Sequence, residues 1–395
     1  MDLGKDLTEV RSLHRPLVPD GVGPGPHEPT FLRAIATKAK ACQQHRFQDL
    51  YRCLDAEFLL CCWGDLNQDA ASGVTAAEYA QDLHAHIQAL AERLKSKRYR
   101  AQRVRRVYIP KENGKEKPLG IPALEDKLVQ LACAKLLVVI YEQDFLGCSY
   151  GYRPERGALD AVRELTFDLQ YGVDGYIAEA DIQGFFDNLD HDWLLEMLRL
   201  RIDDRAFLGL IRQWLKAGIL ETDGAVIHPE TGTPQGGIVS PVLANVYLHH
   251  VLDLWSERVV KPHCGGEALL CRYADDWVCA FRYRDDAERF YRVLPKRLEK
   301  FGLKVAPEKT RLLRFSRFHP SKERTLHLLG LRVLLDARPT RCGAGETAHR
   351  PPEMAGGVPA NQDMDQGPPA SAGARILPGS QSQAAGTLPL LRRTR

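Results

Sequence analysis

The sequence predicts an α+β fold, and three observations carry that reading. Stretches with apolar residues three and four apart mark amphipathic helices through the first 336 residues. Three segment pairs read as hairpins, one of them holding two adjacent aspartates between apolar strands. The totals, 395 residues with 44% hydrophobic and 27% charged, allow one to three domains with ample core material.

In chain order, residues 1–28 include VPDGVGPGPHE, the composition of a flexible leader. Residues 29–90 read as a helical N-terminal segment. Over 30–60, Leu32, Ile35, Ala36 and Ala39, then Phe47, Leu50, Tyr51 and Leu54, recur at helical spacing. After the polar turn GDLNQDAASGVTA, a second helix over 78–98 puts Leu83, Ile87, Leu90 and Leu94 on one face. Residues 105–109 alternate as a strand, and KENGKEK at 111–117 carries the Asn-Gly of a tight hairpin turn. Residues 124–141 are helical again, and 176–182 form a strand ending near Asp181. Asp190 is placed to cap a helix through 200, residues 203–217 make another helix, and 218–227 a short hairpin. A helix over 240–251 opens with Ser-Pro. Residues 269–281 are strand, turn, strand; 286–301 are helical; 312–315 and 326–334 read as edge strands. From 336 to 395 the chain changes character: after Asp336 it has 8 Gly, 8 Pro and 10 Ala but no Phe, Trp, Tyr or Lys, the composition of a disordered tail.

MDLGKDLTEV has charges where a signal peptide needs an apolar run. The longest apolar stretch, 131–141, is broken by Lys135 and too short for a bilayer, so a cytoplasmic protein without membrane contact is expected. The ten Cys include no CxxC pair and read as reduced, mostly buried thiols rather than disulfides or a zinc site. The tail carries seven Arg against four acids, which leaves the first 336 residues balanced at 47 basic and 47 acidic side chains. That excludes a uniformly basic nucleic-acid binder. The charge is local instead: residues 93–117 hold eleven Lys/Arg against two Glu, interleaved with Tyr99 and Tyr108. Taken alone, such a run is a solvated helix face or a groove that tracks a nucleic-acid backbone.

Two adjacent carboxylates, Asp275 and Asp276, sit in LLCRYADDWVCAF. An Asp-Asp turn alone also reads as a solvated loop, but in an apolar hairpin the pair raises its own pKa unless a cation neutralises it. Asp181 offers a third carboxylate from a separate strand. Two Mg²⁺ ions about 4 Å apart need such bridging groups, one ion to activate a hydroxyl and one to hold a triphosphate. Between these elements lies GTPQGGIVSPVLANVYLHHVLD. Its Gly236 and Gly237 admit close backbone approach, and Gln235 is a neutral hydrogen bonder beside phosphate. His191, His249 and His250 lack partners at ligand spacing and read as structural.

These strings, with AEADIQGFFDNLDHDWL upstream, resemble the motifs of bacterial group II intron-encoded reverse transcriptase/maturases. RFQDLYRCL and CCWGDLNQDAASGVT are similar to that family's N-terminal extension, IPKENGKEKPLGIPALEDKLVQ and SYGYRPERGALDAV to its fingers, and KVAPEKTRLLRF and HLLGLRV to its last palm motifs. The Gln-Gly loop differs from diversity-generating enzymes, and the N-terminal extension fits retron enzymes poorly. The resemblance implies a right-hand polymerase with a helical N-terminal extension at 29–90, fingers and an antiparallel palm sheet at 91–335, and RNA-templated addition of deoxynucleotides to a DNA primer. It makes Asp181, Asp275 and Asp276 catalytic and, with the Ile182 carbonyl, ligands of two Mg²⁺. Phe186 becomes the gate against a 2′-hydroxyl. Lys111, Lys117, Gln235 and Gly236 face the incoming deoxynucleoside triphosphate, Lys117 replacing the usual Arg and losing its bidentate fork. Lys309 becomes a lesser phosphate or proton-transfer candidate. Arg98, Arg100, Arg103, Arg105 and Arg106 would flank the RNA template, and group II intron RNA is the implied partner.

No basic helical thumb is recognisable after the palm. Back-translating residues 383–393 and reading one base later permits a thumb-like string, which implies that the tail is a thumb read out of frame; a gene whose shifted frames carry no thumb helices across codons 340–395 would sink that idea. The rival from another class is an RNA-binding splicing factor, or an inactive relic, whose palm folds without doing chemistry.

Overall fold

The computed structural model describes residues 29–66, 75–110, 116–172 and 174–315, together with three short strands farther on. The leader, the turn residues 111–115 with Lys111, and the tail apart from 375–378 lie outside the described residues.

The N-terminal segment is helical but more broken than its periodicity suggests. Helix α1 (Thr30–Ala41) ends before Phe47, which bridges Ile202 through Phe47 N–H to the Arg201 carbonyl and Asp203 N–H to the Phe47 carbonyl, 2.7 Å each. Asp49, at φ 60°, then turns the chain into a single 3₁₀ turn, Leu50–Cys53. Phe47, Leu50 and Leu54 are buried and Tyr51 is half-buried, but a tertiary bridge replaces the helix. Arg201 secures this junction, donating to the carbonyls of Ala39, Cys42 and His45 and pairing with Asp144 at 2.9 Å. Helix α2 (Ala56–Asp65) is capped by Asp55, whose side chain accepts from Phe58 N–H. The stretch expected as one helix over 78–98 is two, α3 (Ala76–Ala80) and α4 (Leu83–Lys95). Helix α4 runs through residue 90, where the extension was expected to end, and its Ile87, Leu90 and Leu94 join the main core.

Strands β1 (Val104–Pro110) and β2 (Glu116–Ile121) pair antiparallel with Pro110 opposite Glu116, the hairpin that the Asn-Gly turn predicts. Helix α5 (Leu124–Tyr141) is buried nearly all round and forms the hub of the core. After β3 (Ser149–Tyr150) and α6 (Ala158–Tyr171) comes β4 (Tyr176–Ala180). Helix α7 (His191–Arg199) is capped by Asp190, as predicted, and is followed by α8 (Arg205–Leu215) and the short hairpin β5 (Ile219–Leu220) and β6 (Val226–Ile227). Helix α9 (Ser240–Leu248) continues as a π-helical turn, His249–Asp253.

Strands β7 (Ala268–Tyr273) and β8 (Asp276–Phe281), then α10 (Arg284–Glu299) and β9 (Arg311–Arg314), complete the central sheet, ordered β3-β7-β8-β4-β9. It is antiparallel except where β3 joins β7. Strand β8 is central and apolar on both faces, with Trp277, Val278 and Ala280 at 0% exposure, because helices cover the sheet. The β1–β2 hairpin joins a second sheet through β5. Strands β10 (Thr325–Leu328), β11 (Leu331–Leu334) and β12 (Arg375–Pro378) form a third. Among the described residues no helix is long and apolar enough to cross a membrane.

Candidate active site

The three predicted carboxylates come to one end of the central sheet. In the β4–β8 ladder Ala180 faces Trp277, so the next register step sets Asp181 opposite Asp276. In the β7–β8 ladder Tyr273 faces Asp276, which leaves Ala274 and Asp275 as a two-residue turn. Ala274 has φ 53°, the positive value that lets a two-residue hairpin follow the strand twist but that a side chain resists. Asp275 and Asp276 are both half-buried.

Asp181 is anchored on both oxygens. Its Oδ1 accepts from the Ile182 N–H at 2.8 Å, and its Oδ2 takes the Lys309 ammonium at 2.5 Å. Lys309, the lesser candidate by sequence, thus supplies positive charge at the carboxylate end. Ala306 N–H donates to the Asp181 carbonyl and Gln183 N–H to the Lys304 carbonyl, so Ile182 and Val305 form a non-hydrogen-bonded pair; this turns the Ile182 carbonyl away from the bridge. The set is one of hard oxygen donors, which suits Mg²⁺. Among the described residues no three His, Cys, Asp or Glu side chains are gathered as an ion cage.

Phe186, in the 3₁₀ turn Phe185–Asp187, lies beside the Gly-rich loop: its carbonyl accepts from Thr233 N–H at 2.7 Å. Gly232, at φ 86°, passes so close that a Cβ there would fall 2.7 Å from the Asp187 carbonyl oxygen. His191 is buried, with its Nε2 2.6 Å from the Gly232 carbonyl, a structural role as expected. The loop then meets β2. Gly120 N–H donates to the Gln235 carbonyl at 2.6 Å, and a Cβ on Gly236, at φ 116°, would sit 2.5 Å from the Gly120 carbonyl oxygen. Only glycine permits that approach. Ser240 and Gln130 pin the far end, through Ser240 Oγ to Thr233 Oγ1 and the Pro234 carbonyl, and Ile238 N–H to Gln130 Oε1. One loop thus meets Phe186 at Thr233 and β2 at Gln235 and Gly236. Lys117 lies on β2, three residues before Gly120, and Lys111 is outside the described residues.

The basic stretch divides. Arg98, Arg100, Arg103 and Arg105 are exposed. Arg106 is not: it is half-buried and pairs with Glu221 at 3.2 Å, which removes it from an open basic face. Tyr99 is likewise corrected, since it is 3% exposed and donates its hydroxyl to Asp126 instead of offering a stacking surface. Burial pushes the Asp126 carboxyl up to about 6, against the pull of Tyr99 and the Gln102 N–H. Tyr108 remains exposed, with its hydroxyl on Glu221 at 2.9 Å.

Sequence reasoning passed over Arg272, one residue before the YADD string. It is 0% exposed and donates to Asp253 Oδ1 (2.7 Å) and Oδ2 (2.6 Å), Ser149 Oγ (2.6 Å), Asn245 Oδ1 (3.1 Å) and the Ala274 carbonyl (2.8 Å). The available signal was a charged residue on an otherwise apolar strand, with an acid in the helical stretch upstream.

Residues 109–333 match the reverse transcriptase (RNA-dependent DNA polymerase) family. The chain is 43% identical over 166 residues to the group II intron-encoded protein LtrA of Lactococcus lactis subsp. cremoris, covering 42% of this chain and 27% of that one. It is 39% identical over 236 residues to protein YkfC of Escherichia coli, covering 52% of this chain and 61% of that one. The matches thus span about a quarter and three-fifths of these relatives' lengths. A solved telomerase from Candida albicans, in complex with a telomeric RNA fragment, aligns at TM-score 0.47 and 14% identity over 68% of this chain and 51% of that one.

Proposed function

The chain belongs to the reverse transcriptase family and, with its group II intron-encoded relatives, to the reverse transcriptase/maturase group within it; we propose that it extends a DNA primer on an RNA template. The observation that supports this reading is the register that sets Asp181 opposite Asp276 at one end of the central sheet, next to the turn that holds Asp275. Asp181, Asp275, Asp276 and the Ile182 carbonyl would hold two Mg²⁺, which when bound activate the primer 3′-hydroxyl and neutralise the triphosphate. The Phe186 ring would lie under the sugar and exclude a 2′-hydroxyl. Gln235 and Gly236 would line the base and sugar, Lys111 and Lys117 the triphosphate. Arg98, Arg100, Arg103 and Arg105 would track the template backbone, and group II intron RNA would be the natural RNA partner.

Primer extension by the purified chain tests the reading. Asp275→Ala should lower the rate at least about a thousandfold, the scale set by losing a group that acts mainly in the transition state. Extension at the parent rate by that variant would overturn the assignment, and RNA binding without extension by the parent would favour the splicing-factor alternative.

A further inference from the structure

Three features outside the carboxylates themselves invite a role: the basic outer row of α10, the half-buried Asp174 near Asp168 and Glu267, and the buried Arg272 network. The α10 arginines are partly committed, Arg289 to Asp286 and the His263 carbonyl, and Arg292 to the Glu288 carbonyl. The acidic group has no observation pointing to a ligand. Arg272 goes further.

We infer that Arg272, held by Asp253 and Asn245, is a positioning residue that sets the Asp275–Asp276 hairpin relative to the Gln235–Gly236 loop. This rests on the polymerase reading above. A guanidinium has five N–H donors, and here the recorded acceptors account for all five in a site with no solvent exposure. One donor grips the carbonyl of Ala274, the residue held at positive φ in the turn, while the Ala274 N–H donates to the Tyr150 carbonyl at 3.2 Å. The turn that aims the carboxylates is thus clamped from both sides. Another donor reaches Asn245, whose amide donates to the Gly151 carbonyl at 2.9 Å. Asn245 lies on α9, the helix whose first residue, Ser240, is bonded to Thr233 and Pro234 of the loop. A continuous path runs from loop to helix to guanidinium to turn. Its members come from three separate stretches of sequence: Ser149 to Gly151, the helix and π-helical turn that carry Asn245 and Asp253, and Arg272 with Ala274.

A purely structural ion pair would behave differently. Exchanging both members of a buried pair for apolar groups is often neutral for stability, whereas fixed geometry is lost with them. The test therefore uses the full chain carrying Arg272→Met with Asp253→Leu, alongside Asn245→Ala, which keeps the pair but removes the contact of Arg272 with the body of α9. Three readouts are taken: thermal unfolding, Mn²⁺ binding followed by electron paramagnetic resonance, and primer extension against Mg²⁺ concentration. The double variant should melt within a few degrees of the parent, bind Mn²⁺ at least about tenfold more weakly and need correspondingly more Mg²⁺. Asn245→Ala should shift both metal readouts in the same direction by about threefold. If the double variant does not fold, Asn245→Ala decides alone. Parent-like Mn²⁺ binding and Mg²⁺ dependence in whichever folded variant decides would reduce the network to a stabilising one and overturn the inference. A parent that neither extends primers nor responds to Asp275→Ala would instead sink the polymerase reading, and the Mn²⁺ readout would still report on positioning.

Discussion

Two hairpins carry most of this protein's chemical character, and they treat charge in opposite ways. The β7–β8 hairpin lies in the middle of the central sheet, apolar on both faces, and its one internal cation, Arg272, is buried and fully bonded. The β1–β2 hairpin lies in another sheet, and Arg98, Arg100, Arg103 and Arg105, on and just before its first strand, are exposed. Buried charge can hold a backbone in one place because every donor must find an acceptor. Exposed charge cannot hold position, but it produces a field that reaches any polyanion nearby. The first hairpin is suited to holding a turn in one place and the second to presenting open positive charge.

The contrast is sharpest in stability. Arg272→Ala, which strands the buried Asp253 carboxylate, should cost about 3–5 kcal/mol, whereas Arg105→Ala should lie within about 0.5 kcal/mol. Thermal or urea unfolding of both variants checks this, and comparable losses would erase the distinction.

Acid should attack the buried side next. His249 and His250, in the π-helical turn that ends at Asp253, are held neutral chiefly by burial, with pKa values pushed down to about 3 and about 4 from 6.5. A depressed folded-state pKa means that the stability it contributes is present above about pH 6.5 and lost as pH falls, by about 2 kcal/mol for each histidine at pH 5. Replacing both with Leu should flatten that slope when melting temperature is followed from pH 7 to 5. An unchanged slope would mean that the histidines are protonated in the fold.

The exposed side should respond to salt instead. Changing Arg98, Arg100, Arg103 and Arg105 to Gln should leave the melting temperature almost unchanged and reduce the slope of log affinity for single-stranded RNA against log salt by up to about 3. Arg106→Gln should do the reverse, lowering stability slightly by removing the ion pair with Glu221, with little effect on the slope. Filter binding across a salt series separates the two.

Much of the site was legible in the chain because its residues lie in short contiguous strings. DIQGFF, PQGG and YADD each specify a local turn or strand end, and the apolar runs on either side of the Asp pair in LLCRYADDWVCAF predict a hairpin that the ladder reproduces. Local reading failed where a distant partner decided the outcome. Phe47 has helical spacing but is captured by Ile202, and Tyr99 looks like a stacking residue among arginines until Asp126 and Trp214 close over it. Arg106 has the same charge as its neighbours, and only the position of Glu221, just past β5, removes it from them.

By itself, then, the sequence determined the α+β class, the caps and turns, the adjacent acids at the tip of one hairpin, and where basic charge is dense, because each depends on residues within a few positions of one another. The tertiary structure alone decided which charges are free and which are fastened: Lys309 on Asp181, Glu221 on Arg106, and Asp253, Asn245 and Ser149 around Arg272. The physical reason is that burial forces a polar group to find its partner through space, and no spacing along the chain records that partner's position.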